Sequence, residues 1–425
     1  VKKILFFTTR SPIKPSSGRE ISLYYYIKYL HELYNYEIVV FTFGREKKCI
    51  VRPADFIHKL YTVKSPSNMD IFKNVIKKVI FGRYPLQVAI FYSLKIKYKL
   101  DEIIKKESPD ILISDMVRTS EYFKDYKMTK IFDMDDMLSL RYKSQLESEG
   151  ELINPFGAYF DKLPGVLKKI LDKNYVKIFI LKYEQMALQK YEVNISNKYD
   201  AVVLVSPKEV NYLNEKMDTK KAFVVSTGVD CKYFEDKIIN RDENIITFLG
   251  VYSAPHNEDA VLYFYRDILP AIKKTNPNLK LRLVGGNVTK KVEKLKMDAS
   301  IELVGRVEDV RDYIKSSKVF VAPLRFGSGI KTKILEAMAM EVPVVTTSVG
   351  AEGIGLENYE NVIIQDDPNK FAKAVCELVA DNGLYNRIAK NAKEFVMNNY
   401  DWNVQMKSWK NVFDFVEKDD NKCRQ

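Results

Sequence analysis

The sequence predicts an α/β protein built from two doubly wound parallel sheets, and three observations carry that expectation. Short runs rich in β-branched residues alternate with segments of helical period along the whole chain. Each run stops at a residue suited to leaving a buried strand, such as Gly, Pro, Ser, Thr or Asp. The 425 residues, 46% hydrophobic and 29% charged, also exceed the roughly 100–200 residues of a single domain, and the alternation divides into two series.

In the first series Lys3–Thr8 reads as a strand, a Pro and Ser loop carries Gly18, and Glu20–Leu33 has helical spacing. Tyr36–Phe43 is the next strand; Asp110–Ser114 and Lys130–Asp133 repeat the pattern, and Ala201–Ser206 closes the half. Gly165–Tyr191 reads as a long helical stretch mixing Leu, Ile, Phe and Tyr with lysines. Such a helix either lies on a membrane surface or packs on the first domain with a wet outer face. The second series opens with Asn244–Gly250 and an amphipathic helix from about Glu258 to Asn276, followed by strands Lys280–Val284, Ile301–Val304, Val319–Pro323 and Val342–Thr347. Asn369–Asp381, Leu384–Asn399 and Trp402–Val416 read as helices. The boundaries follow: a first domain over 1–225 with a helical insertion about 145–192, a second over 226–400, and a crossover helix and tail over 401–425, with Lys220–Lys237 as linker.

The net charge of +12 is uneven. Residues 1–225 hold 39 Lys and Arg against 27 Asp and Glu, whereas residues 226–425 hold 29 of each; residues 1–100 alone hold 19 against 6. A basic first half suits an anionic partner, whether lipid headgroups, a phosphorylated acceptor or nucleic acid, and the plain alternative is a solvated lysine-rich face. The neutral second half argues against a nucleic-acid-binding module. The longest relevant uncharged run, Tyr84–Leu94, is too short to span a bilayer and is followed by Lys95, Lys97 and Lys99. After Lys2 and Lys3 no signal-peptide pattern follows. Cys49, Cys231, Cys376 and Cys423 are scattered without CxxC spacing, as are His31, His58 and His256, so zinc and disulfide frameworks are not expected and a reducing cytoplasm is.

Parallel sheets bind ligands at the carboxyl ends of their strands. The segment after Val319–Pro323 reads Leu324-Arg325-Phe326-Gly327-Ser328-Gly329-Ile330-Lys331-Thr332 and continues into a helix. Glycines let backbone approach a ligand, a helix start offers free N–H groups, and Arg325 and Lys331 add positive charge: the parts of a diphosphate cradle. Glu336, one to two turns into that helix, can accept both hydrogen bonds of a ribose diol. The pair suggests a nucleotide. A P-loop is not expected, because Ile330 stands where it needs glycine, and a dinucleotide fingerprint lacks its third glycine, Thr332 standing there. The plain alternative is a turn with a surface carboxylate.

These residues, with Phe248-Leu249-Gly250, Pro255-His256-Asn257, Val284-Gly285, Val304-Gly305-Arg306-Val307, Glu336-Ala337-Met338-Ala339 and Pro343-Val344-Val345 leading to Gly350-Ala351-Glu352-Gly353, resemble the donor-binding domain of the family-four retaining glycosyltransferases of GT-B fold. Gly228-Val229-Asp230 is similar to that family's interdomain turn, Pro15-Ser16-Ser17-Gly18-Arg19 to its opening loop, and Tyr400-Asp401-Trp402 precedes the kind of helix that crosses back to the first domain. The resemblance implies two Rossmann-like domains facing a cleft. It implies transfer of a sugar from a nucleotide diphosphate sugar to a glycan or polyprenyl diphosphate-linked acceptor, with the donor in the second domain and the acceptor in the first.

By the same resemblance Glu336 holds the ribose, Gly18 and Arg19 approach the donor phosphates, Gly250 and the Gly327, Ser328, Gly329, Ile330 and Lys331 loop line the donor, and Arg306 and Val307 meet the base. Two departures stand out. The family's first motif glutamate falls on Ser328, and its cationic clamp after the first strand is replaced by Val251-Tyr252-Ser253-Ala254. Arg325 and Lys331 are the nearest substitutes.

The candidate catalytic residues are Asp135 and Asp136, at the end of the strand Lys130–Phe132, and Arg118. Pro85–Val88, Arg118 and Tyr122 resemble a subgroup of bacterial polysaccharide glycosyltransferases, and an aspartate at the strand end is placed to orient an acceptor hydroxyl or take its proton. Helix capping is the plain alternative for Asp133 or Asp136. Asp133-Met134-Asp135 spells a metal-binding DxD, but two sheets and a distant cationic loop contradict the fold that uses it, so no metal and no cofactor besides the nucleotide sugar is expected. The reading is a cytoplasmic enzyme of bacterial surface-polysaccharide synthesis in peripheral contact with the inner face of an anionic membrane. The alternatives are a non-catalytic nucleotide-binding scaffold and a GT-B hydrolase or epimerase.

Overall fold

A computed structural model describes residues 1–13, 15, 18–44, 50–147, 173–237, 239–327 and 329–423. It divides into two compact units, one of Val1–Glu147, Leu152–Ser226 and Gln405–Gln425, the other mainly Thr227–Val404.

The first unit is an eight-stranded sheet of β1 (Lys3–Thr8), β2 (Glu37–Phe43), β3 (Ile50–Ala54), β4 (Ile57–Val63), β5 (Ile111–Asp115), β6 (Thr129–Asp135), β7 (Ala201–Leu204) and β8 (Ala222–Val224) in the order β3-β4-β2-β1-β5-β6-β7-β8. Every pairing is parallel except β3 with β4. Ile4 sits between Ile38 and Ile111, and Ile4 to Phe7 are fully buried. Strands covered on both faces read as unbroken apolar runs rather than alternations, which is why β1, β2, β5 and β6 stand out in the sequence. The hairpin strands β3 and β4 do not, and β8 is three residues long in a stretch expected to be linker. That stretch also contains a short helix, Cys231–Glu235. Of the long helix expected over Gly165–Tyr191, the part before 173 lies outside the described residues; the rest belongs to the helix Asn174–Ser196.

The second unit holds β9 (Asp242–Leu249), β10 (Lys280–Val284), β11 (Ile301–Gly305), β12 (Ser317–Ala322), β13 (Val344–Thr346) and β14 (Ile363–Ile364), all parallel, in the order β11-β10-β9-β12-β13-β14. This is the doubly wound order, in which ligands bind where the winding reverses, here between β9 and β12. The helix expected over Glu258–Asn276 is interrupted by a π-helical turn at Phe264–Ile268. Gly285, at φ +136°, closes the end of β10 so tightly that a Cβ there would lie 1.8 Å from the Gly250 carbonyl oxygen. Gly285→Ala is therefore expected to cost about 1–3 kcal/mol or more. A urea midpoint unchanged from wild type would contradict that packing.

The chain expected as one helix over Trp402–Val416 forms two, Trp402–Met406 and Trp409–Cys423. Trp402 covers Gly228 in the second unit, where a Cβ would meet its ring at 2.5 Å. The last helix belongs to the first unit: Trp409 meets Tyr26 edge-on at 5.8 Å, Phe413 lies 5.0 Å from Tyr36, and Phe415 lies 5.2 Å from Phe223. Among the described residues no helix is long and apolar enough to cross a membrane.

Candidate active site

Each unit gathers charged groups at the carboxyl ends of its strands. In the second, the loop after β12 turns through Gly327 (φ +134°) and Gly329 (φ +73°) into the helix Thr332–Ala339. A Cβ on Gly327 would lie 3.6 Å from Lys331 Cε and 3.9 Å from His256, so loop, lysine and histidine converge. Lys331 is buried and its Nζ donates to the Gly329 carbonyl at 2.6 Å. Lys333 donates to Asn257 Oδ1 at 2.6 Å and to the Leu249 carbonyl at 3.1 Å, and stands 4.4 Å over the Phe248 ring.

These groups have lost much of their preference for positive charge. Burial pushes Lys331 down to about 8. Burial, then the like charge of Lys331, takes Lys333 to about 7. Burial and both lysines hold His256 at about 4. Burial lifts Glu336 to about 7, against the opposing pull of Lys333, and no described group is hydrogen-bonded to its carboxylate. Desolvated, mutually repelling basic groups of this kind are relieved by an anion.

One expectation changes in this unit. Arg325 turns to Asp259, with Nε donating to Oδ2 at 2.9 Å, and lies 4.8 Å over Tyr263, so its charge is committed to the helix Pro255–Tyr263 and not to the loop. Lys333 carries no signal in the sequence, and His256 and Asn257 stand out only as part of the Pro255-His256-Asn257 motif, without a site role; these three group with Lys331. Ser328 lies outside the described residues. Ile330 packs on the core beneath the loop, Gly250 lies against Asn257 and Phe248, and Arg306 and Val307 follow β11 with Arg306 exposed and its stem beside Gly286.

In the first unit the reversal lies between β1 and β5, and Arg19, in the first turn of the helix Gly18–Tyr34, is buried there. Its Nε and Nη2 donate to Asp115 Oδ1 at 2.9 and 2.7 Å, Nη2 also to Asp133 Oδ2 at 2.6 Å, and Nη1 to Asp135 Oδ1 at 2.9 Å. Thr8 Oγ1 donates to the other Asp115 oxygen at 2.8 Å. The spacing of two along β6 puts Asp133 and Asp135 on one face, and Asp135 takes φ +68° where the β6–β7 register slips. Burial opposes the Arg19 charge, but the fields of Asp133, Asp135 and Asp115 outweigh it and raise its pKa. One guanidinium does not balance three carboxylates: burial, opposed by Arg19 and reinforced by Asp115 and Asp135, pushes Asp133 up to about 7, and burial raises Asp135.

Arg19, expected from its loop to approach the donor phosphates, is held here by three carboxylates, of which Asp115 is a partner the sequence did not reveal. Asp133 and Asp135 each turn one oxygen to the Arg19 guanidinium. Asp136 pairs with Arg141, and burial and then the charge of Asp136 lift Glu209 to about 8. Asp133 Oδ1 and Asp136 Oδ1 are buried acceptors without a partner. Arg118 donates to Gln87 Oε1 at 2.9 Å and lies 5.0 Å from the Phe91 ring centroid; burial and the like charge of Arg10 lower its pKa. Gly18 starts the helix with open space at its Cβ position.

Residues 243–381 match the family described as glycosyl transferases group 1. An uncharacterized 44.6 kDa protein in the cps region of Klebsiella pneumoniae is 25% identical over 301 residues, covering 67% of this chain and 75% of its own length. The uncharacterized glycosyltransferase MJ1069 of Methanocaldococcus jannaschii is 23% identical over 282 residues, 61% of this chain and 71% of its own. The crystal structure of Anabaena Alr3699/HepE in complex with UDP and glucose superposes with a TM-score of 0.63 at 13% identity, covering 97% of this chain and all of that one (100%). The fold is GT-B. With a group 1 glycosyltransferase domain in its second unit, the chain is a transferase enzyme of the glycosyltransferase class.

Proposed function

We propose that the protein is a family-four type glycosyltransferase that moves a sugar, with retention, from a nucleotide diphosphate sugar to a glycan or polyprenyl diphosphate-linked acceptor in the synthesis of a bacterial surface polysaccharide. The observation that carries the donor reading is the group Lys331, Lys333, His256 and Glu336 beside the Gly327–Gly329 turn. The loop amides and Lys331 take the diphosphate, and Glu336, unprotonated once a ribose diol donates to it, holds the nucleoside. The bond from the anomeric carbon to the diphosphate oxygen breaks as the bond to the acceptor oxygen forms. The acceptor proton passes to the leaving diphosphate, so the step calls for no protein nucleophile. Asp136, with an unpartnered oxygen, and Asp135 are assigned to the acceptor hydroxyl in the first unit. The UDP and glucose held by the Anabaena protein and the cps region of the Klebsiella relative support this reading. The basic surplus of residues 1–100 supports peripheral contact with an anionic membrane.

Thermal-shift measurements across UDP, GDP, ADP, CMP and dTDP identify the nucleotide, because a ligand of the native state raises its stability. Turnover of the matching radiolabelled sugar nucleotide then tests transfer; binding without nucleotide release would reject the enzymatic reading. A proton signature accompanies binding. Lys331 is held near 8 against an ordinary 10.5, so an anion beside it restores the charged form between those two values. Calorimetry at about pH 8.5 in buffers of different ionisation enthalpy is expected to show net uptake, on the order of one proton per nucleoside diphosphate. Proton release would contradict the site.

A further inference from the structure

A cavity of about 510 Å³ lies in the first unit, away from the Arg19 group, between the helix Asn174–Ser196, the helix Met116–Phe123 and the loop 82–85. The half-buried Tyr84, Tyr183 and Tyr191 line it, together with the exposed Arg83, Lys190 and Lys198. The one acid among its described lining residues, Glu121, is already bound by Lys124 at 3.0 Å and by the Tyr191 hydroxyl at 2.7 Å. No described acid pairs with Arg83, Lys190 or Lys198, so the rim keeps its positive charge.

The surface beside this cavity is apolar where water should make it polar. Tyr183 donates to the Val79 and Tyr84 carbonyls, both at 3.0 Å, and so ties the helix Asn174–Ser196 to the helical segment 68–80. Along that segment Met69, Phe72, Ile76 and Ile80 recur every three or four residues and face outward; Phe72 is 62% and Ile80 64% exposed, with exposed Lys73 and Lys77 interleaved. Phe81 follows at 79%, and on the helix Asn174–Ser196 that Tyr183 ties to this segment Phe179 and Met186 are 72% and 64% exposed, Met186 also lining the cavity.

We infer that this cavity takes the phosphate-bearing headgroup of an anionic lipid while the apolar stripe enters the acyl boundary. A protein interface core excludes lysine, and a hydroxylated glycan gains little from exposed isoleucine and methionine. A bilayer surface offers phosphates and hydrocarbon in adjacent layers, the two things this face is built to meet. The inference rests on the membrane-contact reading and names the site that makes the contact.

Cosedimentation of the full chain with vesicles of phosphatidylcholine containing about 30% phosphatidylglycerol tests it, since anionic headgroups supply the attraction. Each cation near such a surface is worth about fivefold in partitioning. The combined Arg83→Ala, Lys190→Ala, Lys198→Ala variant is therefore expected to lose on the order of 100-fold at moderate salt. A Phe72→Ser, Ile80→Ser variant should lose binding that added salt does not explain, and both sets of substitutions lie on the exposed surface, where folding is spared. Dihexanoyl phosphatidylglycerol, titrated as a monomer by calorimetry, should bind the wild type and not the cation variant. Equal affinity for inorganic phosphate, or tighter binding of an acidic oligosaccharide, would overturn the lipid assignment. Vesicle binding lost in the stripe variant but kept in the cation variant overturns the cavity and leaves membrane contact standing; no vesicle binding at any salt overturns both. Sugar transfer to a soluble acceptor, measured on the same preparations, reports failure of the transferase reading separately.

Discussion

Arg19→Met is expected to destabilise the protein by about 3–5 kcal/mol, the cost of leaving buried carboxylates without their cation. Asp115 and Asp133 are almost fully buried and share one guanidinium with the partly exposed Asp135, so little solvent screens the first two once it is gone. The loss should depend on pH in a defined direction. Asp133 already titrates near 7 in the native protein against an ordinary 3.8, and removing Arg19 raises it further. A carboxyl whose folded pKa lies above its unfolded one binds more protons when folded, so its contribution to stability falls as pH rises between those values. The variant should therefore be distinctly more stable at pH 5 than at pH 8. Urea midpoints at the two pH values measure this. Equal loss at both would mean that the carboxylates relax away from each other, and wild-type stability would remove the structural role assigned to Arg19.

Lys331→Ala is expected to lower kcat/KM by about 10- to 100-fold while leaving the fold intact. A hydrogen bond to a charged group contributes about 1.5–3 kcal/mol, and the Lys331 ammonium is held at the turn of the loop where the donor diphosphate is assigned. Because burial already depresses its pKa, deleting it relieves a desolvated charge and should not lower the melting temperature. Affinity for the nucleoside diphosphate should fall with kcat/KM, and the proton uptake on binding should shrink. Arg325→Ala is the contrasting control: its guanidinium is bound to Asp259 at the exposed edge, so a small effect is expected. Unchanged kinetics for Lys331→Ala, or a larger loss for Arg325→Ala, would move the donor site elsewhere.

Strands covered by helices on both sides, such as Ile4–Phe7 and Ile245–Phe248, announce themselves in the sequence because both faces demand apolar residues. The edge strand β3, half exposed and interrupted by Pro53, and the three-residue β8 carry no such mark. The glycine turn and Lys331 were legible because their chemistry is local: two glycines, a cation and a helix start within a few residues. The carboxylate partners of Arg19 are not legible for the opposite reason. Its partners lie 96, 114 and 116 residues away, and only the sheet order brings them to one point. Lys333 was overlooked because a lysine in the first turn of a helix looks like a solvated one until Asn257 and the Leu249 carbonyl are seen to receive it.

The final helix has a consequence for how the molecule is made. Phe413 and Trp409 complete the aromatic seat formed by Tyr26, Tyr34 and Tyr36, yet they are translated after the entire second unit. During synthesis the amino-terminal sheet leaves the ribosome with that seat bare and waits for about 200 further residues, at several to twenty per second, before its own chain covers it. A nascent polypeptide stalled near Val404 should thus be a target for holding chaperones, and shortening the gene at its 3′ end should harm the part of the protein encoded first.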